Sequence, residues 1–80
     1  MTRLEIQKVV TELLSIILGR QVAMTESVTR ESDPKWDSLK HVELVLMLEE
    51  QFGVQFSEQE MAALCTADDI VRAVEEKHAA

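Results

Sequence analysis

The sequence predicts an all-α fold of four helices, three of them long and the third one short, with a long loop between the first two. Apolar residues recur at helical spacing, as is typical of helices that bury one face. Residues that favour helix starts and stops bracket these stretches; Gly19 and Gly53, for example, stand where helices commonly end. The one alternating segment, Val54-Gln55-Phe56, is too short for a stable strand.

The first helix is predicted over about residues 3 to 18. Thr2 and Glu5 have the spacing of a capping box, in which each residue satisfies a backbone N–H group of the other. An apolar stripe at i, i+4, i+7 and i+11 predicts the face that packs into the core: Ile6, Val10, Leu13 and Ile17.

Residues 19–36 form a long connection, and connections of this length in compact domains are usually functional or well anchored. We expect the apolar side chains of Val22, Met24 and Val28 to pin it to the helices. Asp33-Pro34 predicts a turn. Trp36, the single tryptophan, is interpreted as an anchor for the loop, with contact to a partner as the alternative.

The second helix organises the chain and is predicted to run to Phe52. Asp37 is a favourable N-cap residue, so Ser38 lies at the very start of the helix. The Ser38 hydroxyl should be exposed beside unpaired N–H groups and the positive end of the helix dipole. A phosphate attached to this oxygen would be well placed.

The second helix has two apolar faces. The core face is predicted to contain Leu44, Val45, Leu48 and Phe52. The opposite face combines apolar side chains with carboxylates: Leu39, Val42, Glu43, Leu46, Glu49 and Glu50. Periodicity alone leaves two interpretations of that second face, a surface for a basic partner or a second core face under the long loop.

The last third of the chain predicts a short helix and a longer one. Ser57 and Glu60 have capping-box spacing and open the short third helix, with Met61 and Leu64 pointing inward. Cys65, at the end of that helix, is interpreted as a small core residue. Thr66 and Asp69 repeat the capping-box spacing before the last helix, whose core face contains Ala67, Ile70, Val71 and Val74.

Composition indicates one small acidic domain over residues 1–80. Residues 37–80 hold 10 acidic and 3 basic residues and so carry the whole formal net charge of −7. This charge argues against nucleic acid and favours basic partners. The single cysteine excludes an internal disulfide and a CxxC metal site and fits a cytoplasmic protein. No apolar run approaches the length of a membrane span.

The motif around Ser38 resembles the signature of acyl carrier proteins and of their polyketide and peptidyl relatives. Three segments carry the resemblance: Asp37-Ser38-Leu39, Val42-Glu43-Leu44-Val45 and Leu48-Glu49-Glu50-Gln51-Phe52-Gly53. It covers about residues 3 to 77 and includes the predicted order of helices. It implies a four-helix acyl-carrier-type bundle in which Ser38, flanked by Asp37 and Leu39, holds 4'-phosphopantetheine, derived from coenzyme A.

The resemblance also implies a function and a set of partners. The thiol of the prosthetic arm would carry acyl groups as thioesters, and the protein would be a monomeric substrate carrier rather than an enzyme. Its partners would be a phosphopantetheinyl transferase and acyl-activating, acyltransferase or condensing enzymes with basic docking surfaces. These enzymes would meet the outer face of the second helix, at Leu39, Val42, Glu43, Leu46, Glu49 and Glu50.

Three residues near the serine depart from the usual pattern of fatty-acid carriers: Trp36, Lys40 and His41. They favour a dedicated carrier of a specialised pathway, whether polyketide, fatty-acid-like or aminoacyl. The absence of a Pro- or Ser-rich linker at either end favours a free-standing carrier.

Two other functions would use the same sequence features. One is a small acidic helical interaction module without a prosthetic group. The other is a hydrolase with Ser38 as its nucleophile. Against it, no acidic residue is placed to orient His41, and the GxSxG elbow is absent. His41 is expected where the core face meets solvent. A metal site is not predicted, because His41 and His78 are far apart and no ligand cluster joins them.

Overall fold

A computed structural model describes residues 2–79, so the two end residues of the predicted domain 1–80 lie outside the described residues. The chain forms four helices: α1 (Arg3–Leu18), α2 (Ser38–Phe52), α3 (Glu58–Ala63) and α4 (Ala67–Ala79). Across residues 2–79 there is no strand, only an isolated bridge between Thr29 and Thr66. The predicted all-α fold of three main helices and a short third one is confirmed.

The helix ends follow from local sequence. Thr2 and Glu5 form both bonds of the predicted capping box at the start of α1, and Ser57 and Glu60 do the same for α3. Gly19 and Gly53 end α1 and α2 in the left-handed region, at φ 68° and 64°. Few residues other than glycine adopt this conformation without strain, so these two positions stop the helices where the sequence predicts.

The core lies where α1 packs against α2 and α4. The predicted core face of α2 is confirmed, since Leu44, Val45, Leu48 and Phe52 are each no more than 6% exposed. They meet the stripe of α1 and the apolar face of α4: Ile6, Val10, Leu13, Ile17, Ile70, Val71 and Val74. Burial of these side chains is the main favourable contribution to stability in so small a domain.

The long loop is fastened to the junction between α3 and α4. The Arg30 N–H donates to the Cys65 carbonyl at 2.8 Å, and the Ala67 N–H donates to the Val28 carbonyl at 3.0 Å. Val22 and Val28 are buried as predicted. The prediction for Met24 is wrong: it is 45% exposed, because it lies in a turn that the Glu26 N–H closes onto the Ala23 carbonyl.

The junction after α3 corrects two further details. Cys65 is exposed rather than in the core, because α3 ends at Ala63 and Leu64 takes the buried position. Before α4, only one of the two hydrogen bonds of the predicted capping box forms. The Asp69 N–H donates to Thr66 Oγ1 at 3.0 Å, but the Asp69 carboxylate accepts from the Cys65 N–H, one residue earlier than the pattern predicts.

Capping and ion pairs predict how stability depends on pH. The Lys77 ammonium and the Ser57 N–H lower the pKa of Glu60, and the Lys35 N–H and the Arg20 guanidinium lower the pKa of Asp33. A carboxyl group whose pKa is lowered by folding stabilises the native state above its unfolded pKa and loses that effect as the pH falls through the folded pKa.

We therefore expect the melting temperature to change little between neutral pH and about pH 5. At pH values under about 4.5 we expect it to decrease. Circular-dichroism melts across this range measure it. A melting temperature that rises as the pH falls would mean that repulsion among the carboxylates of residues 37–80 outweighs the capping and ion-pair interactions.

Candidate functional site

Ser38 is the first residue of α2, and its side chain is exposed as predicted. Asp37 adopts an extended N-cap conformation, and its carboxylate accepts from the Lys40 N–H at 2.9 Å. The first backbone bond of the helix runs from the His41 N–H to the Asp37 carbonyl. The N–H groups of Ser38 and Leu39 precede this bond and face outward from the helix end, where they favour an anion.

A buried polar pair lies beneath the start of α2. Trp36 is 2% exposed and its Nε1–H donates to His41 Nδ1 at 3.0 Å; His41 Nε2 lies 2.8 Å from the Met61 carbonyl of α3. The two contacts assign the proton of a neutral imidazole to Nε2, which donates to Met61. Trp36 thereby anchors the end of the long loop, in agreement with the favoured interpretation.

His41 lies deeper than predicted. It is 4% exposed rather than at the boundary with solvent, because both ring nitrogens have hydrogen-bond partners and burial costs little once they are satisfied. With both nitrogens engaged, the imidazole makes no contact that would let it take a proton from Ser38. The geometry does not support a nucleophilic serine of the hydrolase type.

A shallow groove of about 570 Å³ adjoins the serine. Its walls come from residues 29–31 of the long loop, residues 36–38 at the start of α2, and residues 65–66 between α3 and α4. Arg30 reaches across it, with its Nη2 3.4 Å from Ser38 Oγ. The role of Arg30 could not be predicted from the sequence, because its position depends on the long-range pairing of the loop with Cys65 and no local pattern indicates that pairing.

The outer face of α2 is open to solvent. Leu39, Val42 and Leu46 are 67%, 44% and 59% exposed. The second-core interpretation of this face is therefore wrong. Glu50 is exposed and Glu43 half-exposed, with its carboxylate 3.4 Å from the Lys40 ammonium.

Glu49 differs from the other carboxylates of that face. Its Oε2 accepts from the Phe56 N–H at 2.8 Å. This bond stabilises the connection after α2, so the Glu49 carboxylate is engaged with the backbone of the fold, whereas the Glu43 carboxylate pairs only with the neighbouring Lys40 side chain among the described residues.

Comparison with known proteins agrees with this geometry. A family model described as "Phosphopantetheine attachment site" matches residues 35–74, which include the whole of α2. The acyl carrier protein of Coprothermobacter proteolyticus is 33% identical over 76 residues, which cover 90% of this chain and 93% of the relative. That of Thermosynechococcus vestitus is 34% identical over 79 residues, covering 92% and 98%. That of Wolinella succinogenes is 36% identical over 75 residues, covering 89% and 90%.

The fold and the matched attachment region define a carrier that works through a covalent prosthetic group, 4'-phosphopantetheine. The chain belongs to the acyl carrier protein family. It is a carrier on which enzymes act, among them a phosphopantetheinyl transferase and acyl-handling enzymes, and is not itself an enzyme. Within residues 2–79, no helix combines the length and the apolar character that crossing a membrane requires.

Proposed function

We propose that Ser38 is the attachment site of 4'-phosphopantetheine and that the thiol of the arm carries acyl intermediates as thioesters. The observation that supports this most strongly is the exposed hydroxyl on the first residue of α2. In the modified protein the Ser38 oxygen has lost its proton and is bonded to the phosphorus of the arm as a phosphodiester. The pyrophosphate bond of coenzyme A breaks in exchange, and its adenosine bisphosphate part leaves. The outward N–H groups of the first turn and the helix dipole stabilise the negative charge of the phosphodiester.

Asp37 and Leu39 contribute to this site in different ways. The Asp37 carboxylate caps the helix through the Lys40 N–H, which fixes the backbone that presents Ser38. Leu39 is 67% exposed beside the serine and offers an apolar contact to an enzyme that approaches the hydroxyl. The site therefore combines a rigid helix start with an accessible nucleophilic oxygen.

The protein is proposed to act as a free-standing, monomeric, cytoplasmic carrier in a specialised pathway, with a polyketide, fatty-acid-like or aminoacyl cargo. Support comes from the residues around the serine. Trp36 and His41 build a buried hydrogen-bonded pair under α2, and Lys40 adds a cation two residues after Ser38. This environment departs from the usual pattern of fatty-acid carriers, as the sequence indicates.

Intact mass separates the carrier from the rival interaction module without a prosthetic group. The protein is incubated with coenzyme A and a phosphopantetheinyl transferase of broad specificity. A carrier gains the mass of one phosphopantetheinyl group. An unchanged mass, with a known carrier loaded in parallel under the same conditions, would contradict the proposal.

The outer face of α2 is the proposed docking surface for enzymes with basic surfaces. It comprises Leu39, Val42, Glu43, Leu46 and Glu50, with Glu49 at its edge. The exposed apolar side chains can be buried by a partner, and the carboxylates attract a basic one before contact. Because surface attraction is screened over a Debye length of about 8 Å at physiological ionic strength, docking should weaken as salt is added.

Glu43→Lys is expected to slow transfer of the arm to Ser38 by about two- to tenfold at low salt, because it reverses a charge on this surface and lowers the association rate. The measurement is the initial rate of arm transfer for parent and variant over a salt series, with helix content checked by circular dichroism.

The matched control is Glu12→Lys, which makes the same change of charge at an exposed position of α1. Its rate should stay close to that of the parent. Equal rates for Glu43→Lys and the parent at low salt would remove Glu43 from the docking surface.

A further inference from the structure

Arg30 differs from the other arginines of the chain. The guanidinium groups of Arg3, Arg20 and Arg72 each pair with carboxylates within 3.3 Å. Among the described residues, Arg30 forms none of the ion pairs, and its Nη2 contacts the Ser38 hydroxyl oxygen instead, at 3.4 Å. A half-buried cation is therefore directed at the oxygen that is proposed to be modified.

The backbone of Arg30 is held in place from two sides. Its N–H donates to the Cys65 carbonyl at 2.8 Å, next to the isolated bridge between Thr29 and Thr66. Within the turn that follows, the Ser32 N–H donates to Thr29 Oγ1 at 3.1 Å. Since these bonds fix the start of the side chain, Arg30 loses less conformational freedom when its guanidinium binds a ligand.

Among the described residues, the carboxylates near Ser38 do not pair with the Arg30 guanidinium. The Asp37 carboxylate is committed to the Lys40 N–H, and the Lys40 ammonium pairs with Glu43. Glu31 lines the same groove and is exposed, so solvent screens its repulsion of an anion. A guanidinium offers several N–H groups in a planar fork, which matches the oxygens of a phosphate.

We propose that Arg30 binds the phosphodiester of the prosthetic arm and holds the base of the arm against the groove formed by residues 29–31, 36–38 and 65–66. The inference rests on the proposed attachment at Ser38. Once Oγ is esterified, it is bonded to the phosphorus, and the charged phosphate oxygens are bonded to that same phosphorus. They are therefore within reach of the guanidinium that already contacts Oγ. Arg30 is then a cofactor-binding residue supplied by the long loop.

Nuclear magnetic resonance of the loaded protein tests this directly. The first readout is the Nε–H signal of Arg30 before and after loading at low salt, with the signals of Arg3 and Arg72 as internal references. The second is the phosphorus resonance of the arm, followed over a salt series in the parent, in Arg30→Gln and in Arg30→Lys. Lys8→Gln, at an exposed position of α1, controls for the loss of one positive charge.

We expect loading to shift the Arg30 signal and to leave the two reference arginines unchanged. We also expect the phosphorus resonance to depend on salt in the parent and in Lys8→Gln, to lose that dependence in Arg30→Gln, and to keep part of it in Arg30→Lys. Loss of the guanidinium should lower the ratio of groove-bound arm to free arm by a factor of about 1.4 to 5, the range typical of exposed ion pairs.

Three results are decisive against the inference. If the protein gains the mass of the arm and the Arg30 signal is the same before and after loading, Arg30 does not bind the arm, and the attachment proposal stands. If no mass is gained, the attachment proposal fails and the role of Arg30 falls with it. An Arg30→Gln variant that folds and keeps the parent's salt dependence also overturns the inference.

Discussion

Ser38→Ala is expected to abolish loading with phosphopantetheine while leaving the fold intact. The variant removes the oxygen that would form the phosphodiester, and alanine offers no substitute. The cost to stability should be within about 0.5 kcal/mol, because the side chain is exposed and alanine is a good helix former. Among residues 2–79, the Ser38 hydroxyl has a single hydrogen-bond partner, the Arg30 guanidinium at 3.4 Å, so its removal leaves no buried group unsatisfied.

The measurement for Ser38→Ala is intact mass after treatment with coenzyme A and a transferase, together with a thermal melt. Ser27→Ala is the matched control, because it removes the hydroxyl of another exposed serine, in the long loop. It should load like the parent. A Ser38→Ala variant that still gains the arm would mean that another side chain is the attachment site.

Leu48→Ala is expected to destabilise the protein by about 2–5 kcal/mol. Leu48 is fully buried in the middle of α2, in the core that α2 shares with α1. Truncation removes buried methyl groups and leaves a cavity that rigid neighbouring helices fill only in part. Since a domain of this size is only marginally stable, this is a large share of its total stability.

Denaturant and thermal unfolding of parent and variant measure the loss. Leu46→Ala is the matched control: Leu46 is on the same helix but 59% exposed, so its truncation should change stability by less than about 0.5 kcal/mol. The two variants should also differ in how they affect docking, because Leu46 belongs to the proposed docking surface and Leu48 belongs to the core. If Leu48→Ala melts like the parent, the assigned core face of α2 does not carry the stability of the fold.

Features set by local sequence could be predicted closely. The starts of α1, α2 and α3 and the ends of α1 and α2 depend on residues within four positions of one another, such as Asp37 with Lys40, or Gly53 with Glu49. The exposure of Ser38 follows from its place after Asp37. The core face of α2 follows from its periodicity, because a helix turns by a fixed angle per residue.

Features that depend on contacts between distant segments could not be predicted. His41 is buried because Met61, twenty residues away in sequence, accepts its hydrogen bond, and Arg30 reaches Ser38 because the loop pairs with Cys65. The Glu49 carboxylate turns towards the Phe56 N–H for a similar reason. Periodicity also left two possible roles for the outer face of α2, and only the packing of the other helices distinguishes them.

The most direct test of the account is the position of the prosthetic group in the loaded protein. Trypsin cleaves after Lys35 and Lys40, which releases Trp36-Asp37-Ser38-Leu39-Lys40, a peptide with Ser38 as its single serine and no other hydroxyl side chain. Tandem mass spectrometry of the digest is expected to find the phosphopantetheinyl group on this peptide, at Ser38. The group on any other peptide, with the Ser38 peptide unmodified, would contradict the account.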